Sequence, residues 1–423
     1  ANNVGPAVGA RAMKLGTALI IAAIFESAGA LIAGGDVIGT ISKGIISPEA
    51  VNTPQVFISA MLAALVSSAL WIHLATWLKA PVSTTHSIVG GVMGAGIAAA
   101  GINAVQWTTM GSIALSWVIS PLLGGVIAAA FLAFIKTAII YREDKISAAV
   151  RWVPVLIAVM TGAFSAYLAI KGLKSLVKIT LPLALTIGLG AGVLAWVISR
   201  PLIRRQAQGL ENRNQSLRKL FALPLVFSAA LLSFAHGAND VANAVGPLAA
   251  IVHTAELGEV ASKVSIPLWV MAVGAFGISL GLVLFGPRLI KLVGNEITKL
   301  NPMRAFCVAL SAALTVIAAS ALGLPVSSTH IAVGAVFGVG FFREWYTARS
   351  QRRADYVAMR SESNGNGSPP KQKSKRASAD DQRRRFLVRR AHFLTIVAAW
   401  LVTVPAAAIL SGVLFAVFQS VFA

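Results

Sequence analysis

Three groups of polar residues stand inside otherwise apolar stretches of this chain. The run His236-Gly237-Ala238-Asn239-Asp240-Val241-Ala242-Asn243 interrupts the apolar segment 221–252. A carboxylate and two amides at membrane depth are unfavourable unless they face a cavity and find partners. Asp240 and Asn243 are three residues apart and share a helix face. Gly237 on one side and Gly246-Pro247 on the other allow the helix to break. The runs Pro81-Val82-Ser83-Thr84-Thr85-His86 and Pro325-Val326-Ser327-Ser328-Thr329-His330 read as helix starts, because proline suits the first turn and serine or threonine the cap. A helix start presents unpaired N–H groups and a partial positive charge. With clustered hydroxyls it is a neutral cradle for a tetrahedral oxyanion, and two opposed cradles would hold one anion from two sides. Glu26 lies in Phe25-Glu26-Ser27, within the apolar run 15–34. An acid there points to function, although a partner on a neighbouring helix would also account for it.

No Lys or Arg falls inside these motifs. Hydroxyls, amides and N–H groups leave room for a mobile cation. Asp240 beside an anion is repulsive until a Na⁺ or H⁺ neutralises the pair, so neither ion binds well alone. A protonated oxyanion could also donate a hydrogen bond to the carboxylate. His86 and His330 close the two hydroxyl motifs. They suit a proton or gating role, or equally capping and packing. Interhelical hydrogen bonding is the plainer reading of the Asn/Asp run, and ordinary capping that of the Ser/Thr runs.

The elements that position these residues are membrane helices. Of 423 residues, 57% are hydrophobic and 12% charged, against about 25% charged in a soluble domain. Mean hydropathy is +0.77. Runs long enough to cross a bilayer cover 15–34, 55–78, 81–102, 110–135, 152–170, 180–199, 221–252, 265–286, 305–322, 325–342 and 393–419, and residues 1–8 read as the end of another. That makes an all-α polytopic membrane protein of about 12 passes. The alternation of a strand barrel is absent. The formal charge of +21 comes from Lys and Arg concentrated between apolar runs, a pattern of cytoplasmic loops rather than of a nucleic-acid surface. The single cysteine, Cys307, excludes an internal disulfide and a cysteine metal site.

Basic loops 200–219 and 343–392 are expected in the cytoplasm, the latter with a disordered middle around Ser361–Ser368 and Pro369-Pro370. Lys171, Lys174 and Lys178 then fall outside, against the rule. The chain also repeats itself. Ala1-Asn2-Asn3-Val4-Gly5-Pro6 matches Ala242-Asn243-Ala244-Val245-Gly246-Pro247 at an offset of 241, and the two hydroxyl motifs match at 244. Trp117 with Pro121 is echoed by Trp400 with Pro405, one residue out of register. Seven spans separate equivalent starts, and an odd number inverts the second half relative to the first. Two inverted-topology repeats are expected, with broken helices meeting at the midplane. The parts are 1–135 (repeat 1), 136–220 (two additional spans and a basic linker), 221–342 (main part of repeat 2), 343–392 (basic loop) and 393–423 (last span of repeat 2). The opening Ala1-Asn2-Asn3 reads as the inside of a motif, so a helix upstream of Ala1 is expected.

These motifs resemble the inorganic phosphate transporter (PiT) family, whose signature is similar to Gly237-Ala238-Asn239-Asp240-Val241-Ala242-Asn243. The resemblance extends to the Ser/Thr–His motif of each half, to Phe25-Glu26-Ser27-Ala28-Gly29 and to Phe276-Gly277-Ile278-Ser279 with Gly281. It implies cation–phosphate symport by alternating access, both termini outside, and no enzymatic activity or cofactor beyond a coupling Na⁺ or H⁺. On matching positions it implies phosphate at Ser83, Thr84, Thr85, Ser327, Ser328, Thr329, Asn2 and Asn243. It implies the cation at Asp240, Asn239, Asn2, Asn243 and Glu26. The first-half counterpart of Asp240 would lie two positions before Ala1, and Asn3 stands where the second half has Ala244. Rival readings are a symporter of sulfate or another oxyanion, an intramembrane hydrolase using Ser83 or Ser327, and a non-transporting receptor. The expected partners are phosphate, the cation and the lipid of a bacterial inner membrane, without nucleic acid. The oligomeric state stays open, a homodimer included.

Overall fold

Backbone groups that cannot reach water must bond within their own segment, and this chain meets that demand with helices. The computed structural model describes residues 3–51, 53–78, 80, 82–172, 179–260, 266–292, 300–349 and 390–422. The helices in chain order are α1 (Gly5–Gly9), α2 (Leu15–Ala33), α3 (Gly35–Lys43), α4 (Pro54–Trp77), α5 (Thr84–Ala100), α6 (Trp107–Ile135), α7 (Lys145–Gly172) and α8 (Leu181–Ala207). They continue as α9 (Asn214–Leu220), α10 (Ala222–Asp240), α11 (Ala242–Leu257), α12 (Leu268–Leu292), α13 (Pro302–Ala321), α14 (Ser328–Arg349) and α15 (Arg390–Phe422). Among the described residues there is no strand, only an isolated bridge between Ile46 and Val105.

Nine of these segments among the described residues are long and apolar enough to cross a membrane. Three expected passes are not among them. Of residues 1–8, those described, 3–8, contribute only to the short α1 (Gly5–Gly9). The run 81–102 forms a helix of 17 residues, because Ser83 caps it, and about 26 Å of helix falls short of the ~30 Å hydrocarbon core. The run 325–342 becomes α14, which begins in Ser328-Thr329-His330 and ends among Arg343, Glu344 and Arg349. Most residues of α5, and most of those of α14 before Phe341, are buried in the bundle. The expected span 221–252 is broken at Val241 into α10 and α11. The middle of the basic loop, residues 350–389, and Lys174 and Lys178 lie outside the described residues.

Burial separates centre from rim. The membrane windows of α10–α11 and α13 are 72% and 83% buried, whereas that of α8 is 17% buried. So α10, α11 and α13 form the centre, and α8 offers Leu185, Leu189, Val193 and Val197 outward. The centre is closed with small residues, which let helix backbones approach. A methyl on Gly94 of α5 would collide with the carbonyl of Ala408 in α15, and one on Gly338 of α14 with the carbonyl of Gly125 in α6.

Those two contacts are counterparts, since Gly94 matches Gly338 in the repeated motif. Other contacts recur between the halves. Ser27 of α2 and Ser279 of α12 share a hydrogen bond of 2.7 Å. One hydroxyl donates to the other, and the carbonyls of Ala275, 3.4 Å from Ser27 Oγ, and of Ala23, 3.2 Å from Ser279 Oγ, are the alternative acceptors. His86 lies against Trp117 with ring centroids 3.8 Å apart, and His330 against Trp400 at 3.6 Å. The two glycine contacts and the Ser27–Ser279 contact cross between the halves, whereas each His–Trp pair stays within one half.

Candidate functional site

The site forms where the break between α10 and α11 meets the starts of α5 and α14. Each start is fixed by its own cap. Ser83 Oγ accepts the backbone N–H of His86 at 3.2 Å, and Ser327 Oγ accepts that of His330 at 3.3 Å. The two starts touch: Thr85 Oγ donates to the Val326 carbonyl at 3.0 Å, and the His86 and His330 rings lie 4.5 Å apart.

Asp240, the last residue of α10, reaches the α5 start. Its Oδ2 accepts the Thr84 hydroxyl at 3.1 Å and lies 3.1 Å from His236 Nε2. Asn243, the second residue of α11, donates to Thr84 Oγ1 at 3.2 Å and to Thr85 Oγ1 at 3.3 Å. Two oxygens here are buried and accept nothing, Asp240 Oδ1 and Asn243 Oδ1. Both are acceptors on one helix face, so a cation or a ligand hydroxyl satisfies them equally. Thr84 itself is exposed, so the pair lies at the edge of an opening.

Behind this pair the acid network continues into α2. Gly29 and Gly237 have no room for a side chain: a methyl on either would strike the opposing backbone at Phe234 or Glu26. That close crossing brings Glu26 under α10. Its Oε1 lies 3.2 Å from His236 Nδ1 and accepts Asn3 Nδ2 at 2.9 Å. The His236 ring thus spans two carboxylates, one at each nitrogen. Its Nδ1 has no hydrogen-bond geometry toward Glu26, so the ring lies between the two carboxylates and bonds to neither side through that nitrogen.

The residues expected from sequence take different positions here. Thr84, Thr85, Asp240 and Asn243 share one contact network, with Glu26 joined through His236. Asn239 belongs to a separate one. Its Nδ2 donates to Ser320 Oγ at 2.9 Å and to the Leu324 carbonyl at 3.1 Å, and its Oδ1 accepts the Val326 N–H at 3.2 Å. All of its polar atoms thus hold the crossover from α13 to α14. Ser83, Ser327 and Ser328 are buried at the helix starts, and Thr329 follows at the first turn of α14. Asn2 lies outside the described residues, and its neighbour Asn3 makes the Glu26 contact. His86 and His330 sit in a stack of four rings with Trp117 and Trp400, and their ring nitrogens are buried without hydrogen-bond partners. Neither imidazole addresses a serine hydroxyl, so no nucleophile–base pair exists at either motif.

His236 was not among the expected site residues. The signal was present, because it lies four residues before Asp240 and therefore on the same helix face. Ser320 carried no signal, being one small polar residue in an apolar helix. The search for three or more metal-binding side chains in one place finds none among the described residues.

The comparisons with known proteins agree with one another. Residues 1–411 match the family model described as Phosphate transporter family. A Helicobacter pylori (strain J99 / ATCC 700824) protein named "Putative phosphate permease" is 48% identical, covering 98% of this chain and 85% of that one. A like-named protein of Chlamydia trachomatis serovar D is 38% identical over 81% of this chain and 85% of its own. A solved structure described as the sodium-dependent phosphate transporter matches with a TM-score of 0.84 and 33% identity, covering 99% of this chain and 94% of that one. With residues 1–411 matching its model and nine apolar membrane-length helices among the described residues, the chain belongs to the phosphate transporter family, as a membrane transporter.

Proposed function

We propose that the chain carries inorganic phosphate across the membrane together with a cation, Na⁺ in the first instance, by alternating exposure of one shared site. The observation that carries this is the unpartnered pair Asp240 Oδ1 and Asn243 Oδ1 beside the Thr84 hydroxyl at the start of α5. Two oxygen acceptors, one of them a carboxylate, suit Na⁺ at the broken helix, and hydroxyls at a helix start suit the anion. The likeness to a solved sodium-dependent phosphate transporter supports the same ion. Phosphate is assigned to Thr84, Thr85, Ser328 and Thr329 over the Ser83 and Ser327 caps, and the cation to Asp240 and Asn243. Asn239 holds the frame.

A second reading of the coupling ion has its own observation. His236 lies 3.2 Å from Glu26 and 3.1 Å from Asp240, an acid–imidazole–acid row that suits H⁺. Phosphate uptake into proteoliposomes, with Na⁺ and pH gradients imposed in turn, separates the two. Uptake driven by Na⁺ alone supports the first reading and uptake driven by pH alone the second. Uptake driven by neither ends both. Sulfate that competes with labelled phosphate at equal concentration would replace phosphate by oxyanions in general.

The contact of Ser27 with Ser279 and the exchanged contacts of Gly94 with Ala408 and of Gly338 with Gly125 support two inverted repeats, bounded at 1–135 and at 221–342 with 393–423. The segment 136–220 lies between them. On that topology loops 200–219 and 343–392 face the cytoplasm, both termini face outward, and the membrane is a bacterial inner membrane. A cysteine introduced in loop 200–219 and labelled only after permeabilisation supports this orientation, and labelling of intact cells reverses it.

A further inference from the structure

The crossover Ala321–Val326 leads from α13 straight into the Ser327-Ser328 start of α14. It is irregular backbone, exposed at Ala321 and Leu322 and buried from Pro325 onward, and side-chain donors hold its carbonyls. Side chains from five helices do so. Thr40 of α3 donates to the Gly323 carbonyl at 2.7 Å. Asn239 of α10 takes Leu324 and Val326. Trp117 of α6 donates to the Pro325 carbonyl at 3.0 Å, and Thr85 of α5 to that of Val326. The fifth partner is Lys171 at the end of α7, whose Nζ donates to the Ala321 carbonyl at 2.9 Å.

Lys171 is the unusual member. Its side chain is nearly buried, and the same ammonium is paired with Asp36 in the first turn of α3. Asp36 is one turn before Thr40 on that short helix. One ammonium therefore ties α3 to the end of α13, beside the place where Thr40 makes the second tie. The helix that supplies it lies in the sequence between the two related halves, so the central segment contributes to the frame of the site. The pairing also accounts for a positive residue on the unexpected side of the membrane, since Lys171 is neutralised internally and is not a free loop charge.

We propose that Lys171 and Asp36 are positioning residues for transport: their ion pair fixes the Ala321–Val326 crossover and through it the Ser327-Ser328 start that receives phosphate. The pair touches neither phosphate nor cation. Its geometry is independent of the transport reading, and only its consequence for phosphate rests on it.

The test uses the full chain in nanodiscs with three variants, Lys171→Met, Asp36→Asn and Lys171→Arg. The first readout is hydrogen–deuterium exchange of the peptide spanning 321–326, which needs no phosphate. The second is the KM for phosphate uptake. Lys171→Met and Asp36→Asn each speed exchange about tenfold and raise KM about tenfold, the scale of one lost charge-assisted hydrogen bond. Lys171→Arg stays closer to the parent in both. Should Lys171→Met fail to accumulate, the nearly isosteric Asp36→Asn decides by the same readouts. Exchange unchanged from the parent overturns the proposal, and so does faster exchange with an unchanged KM. A parent protein that takes up no phosphate defeats the transport reading instead, while the exchange readout still reports on the latch.

Discussion

Asn239 and Asn243 have the same side chain, stand four residues apart on either side of the α10–α11 break, and do different work. Replacing Asn239 with leucine keeps nearly the same volume and removes every hydrogen bond it makes. The Leu324 carbonyl and the Val326 N–H lose their partner. Each orphaned buried group costs about 1–3 kcal/mol, so the frame loses about 2–6 kcal/mol. The Ser320 hydroxyl can turn to another acceptor and adds little. Replacing Asn243 with alanine is different. Its amide reaches only the hydroxyls of Thr84 and Thr85, and its carbonyl oxygen has no partner to lose. Thermal unfolding in detergent, followed by size-exclusion fluorescence, should therefore show Asn239→Leu clearly destabilised and Asn243→Ala near the parent. Uptake should show the reverse emphasis, with Asn243→Ala folded but at least about tenfold poorer in KM for phosphate or cation, the effect of one or two ligand contacts. Equal stability of the two variants, or Asn243→Ala as the less stable one, would refute the division of labour.

Other outcomes follow from particular contacts. His236→Phe leaves Glu26 and Asp240 without the imidazole between them, so uptake at neutral pH should fall at least about tenfold. It should recover on acidification, because a proton on either carboxylate removes the repulsion; a pH profile of uptake checks this, and a fall that ignores pH would refute it. Trp117→Phe removes the hydrogen bond to the Pro325 carbonyl and should lower the unfolding midpoint, by roughly 1 kcal/mol in stability. Trp400→Phe removes an indole N–H that has no partner and should leave the midpoint nearly unchanged, so equal losses would count against the asymmetry. Gly94→Leu and Gly338→Leu should each prevent accumulation of monodisperse protein, since each drives a side chain into an opposing carbonyl; normal accumulation of either would show that the crossing can yield.

The sequence by itself determined the class of the molecule. Apolar runs of bilayer length leave only helices, and the Asn/Asp and Ser/Thr motifs announce themselves because polar groups are unfavourable in lipid. The duplication of Pro-Val-Ser-x-Thr-His also placed both helix starts, and the caps at Ser83 and Ser327 form where local chemistry demands. Hydropathy could not tell a helix that crosses lipid from one inside the bundle, because both are apolar. So 81–102 and 325–342 read as passes, whereas α5 and α14 begin only after their caps. Nor could spacing separate Asn239 from Asn243. What distinguishes them is which neighbour each meets across the break, and that is a matter of tertiary contact between residues more than eighty positions apart. The same holds for Glu26, which reaches His236 only because Gly29 and Gly237 let two helices touch, and for Lys171, whose charge looked misplaced until Asp36 and the Ala321 carbonyl were beside it. Local pattern fixes what a segment must become in lipid. Long-range packing decides which of its polar atoms remain free for a ligand.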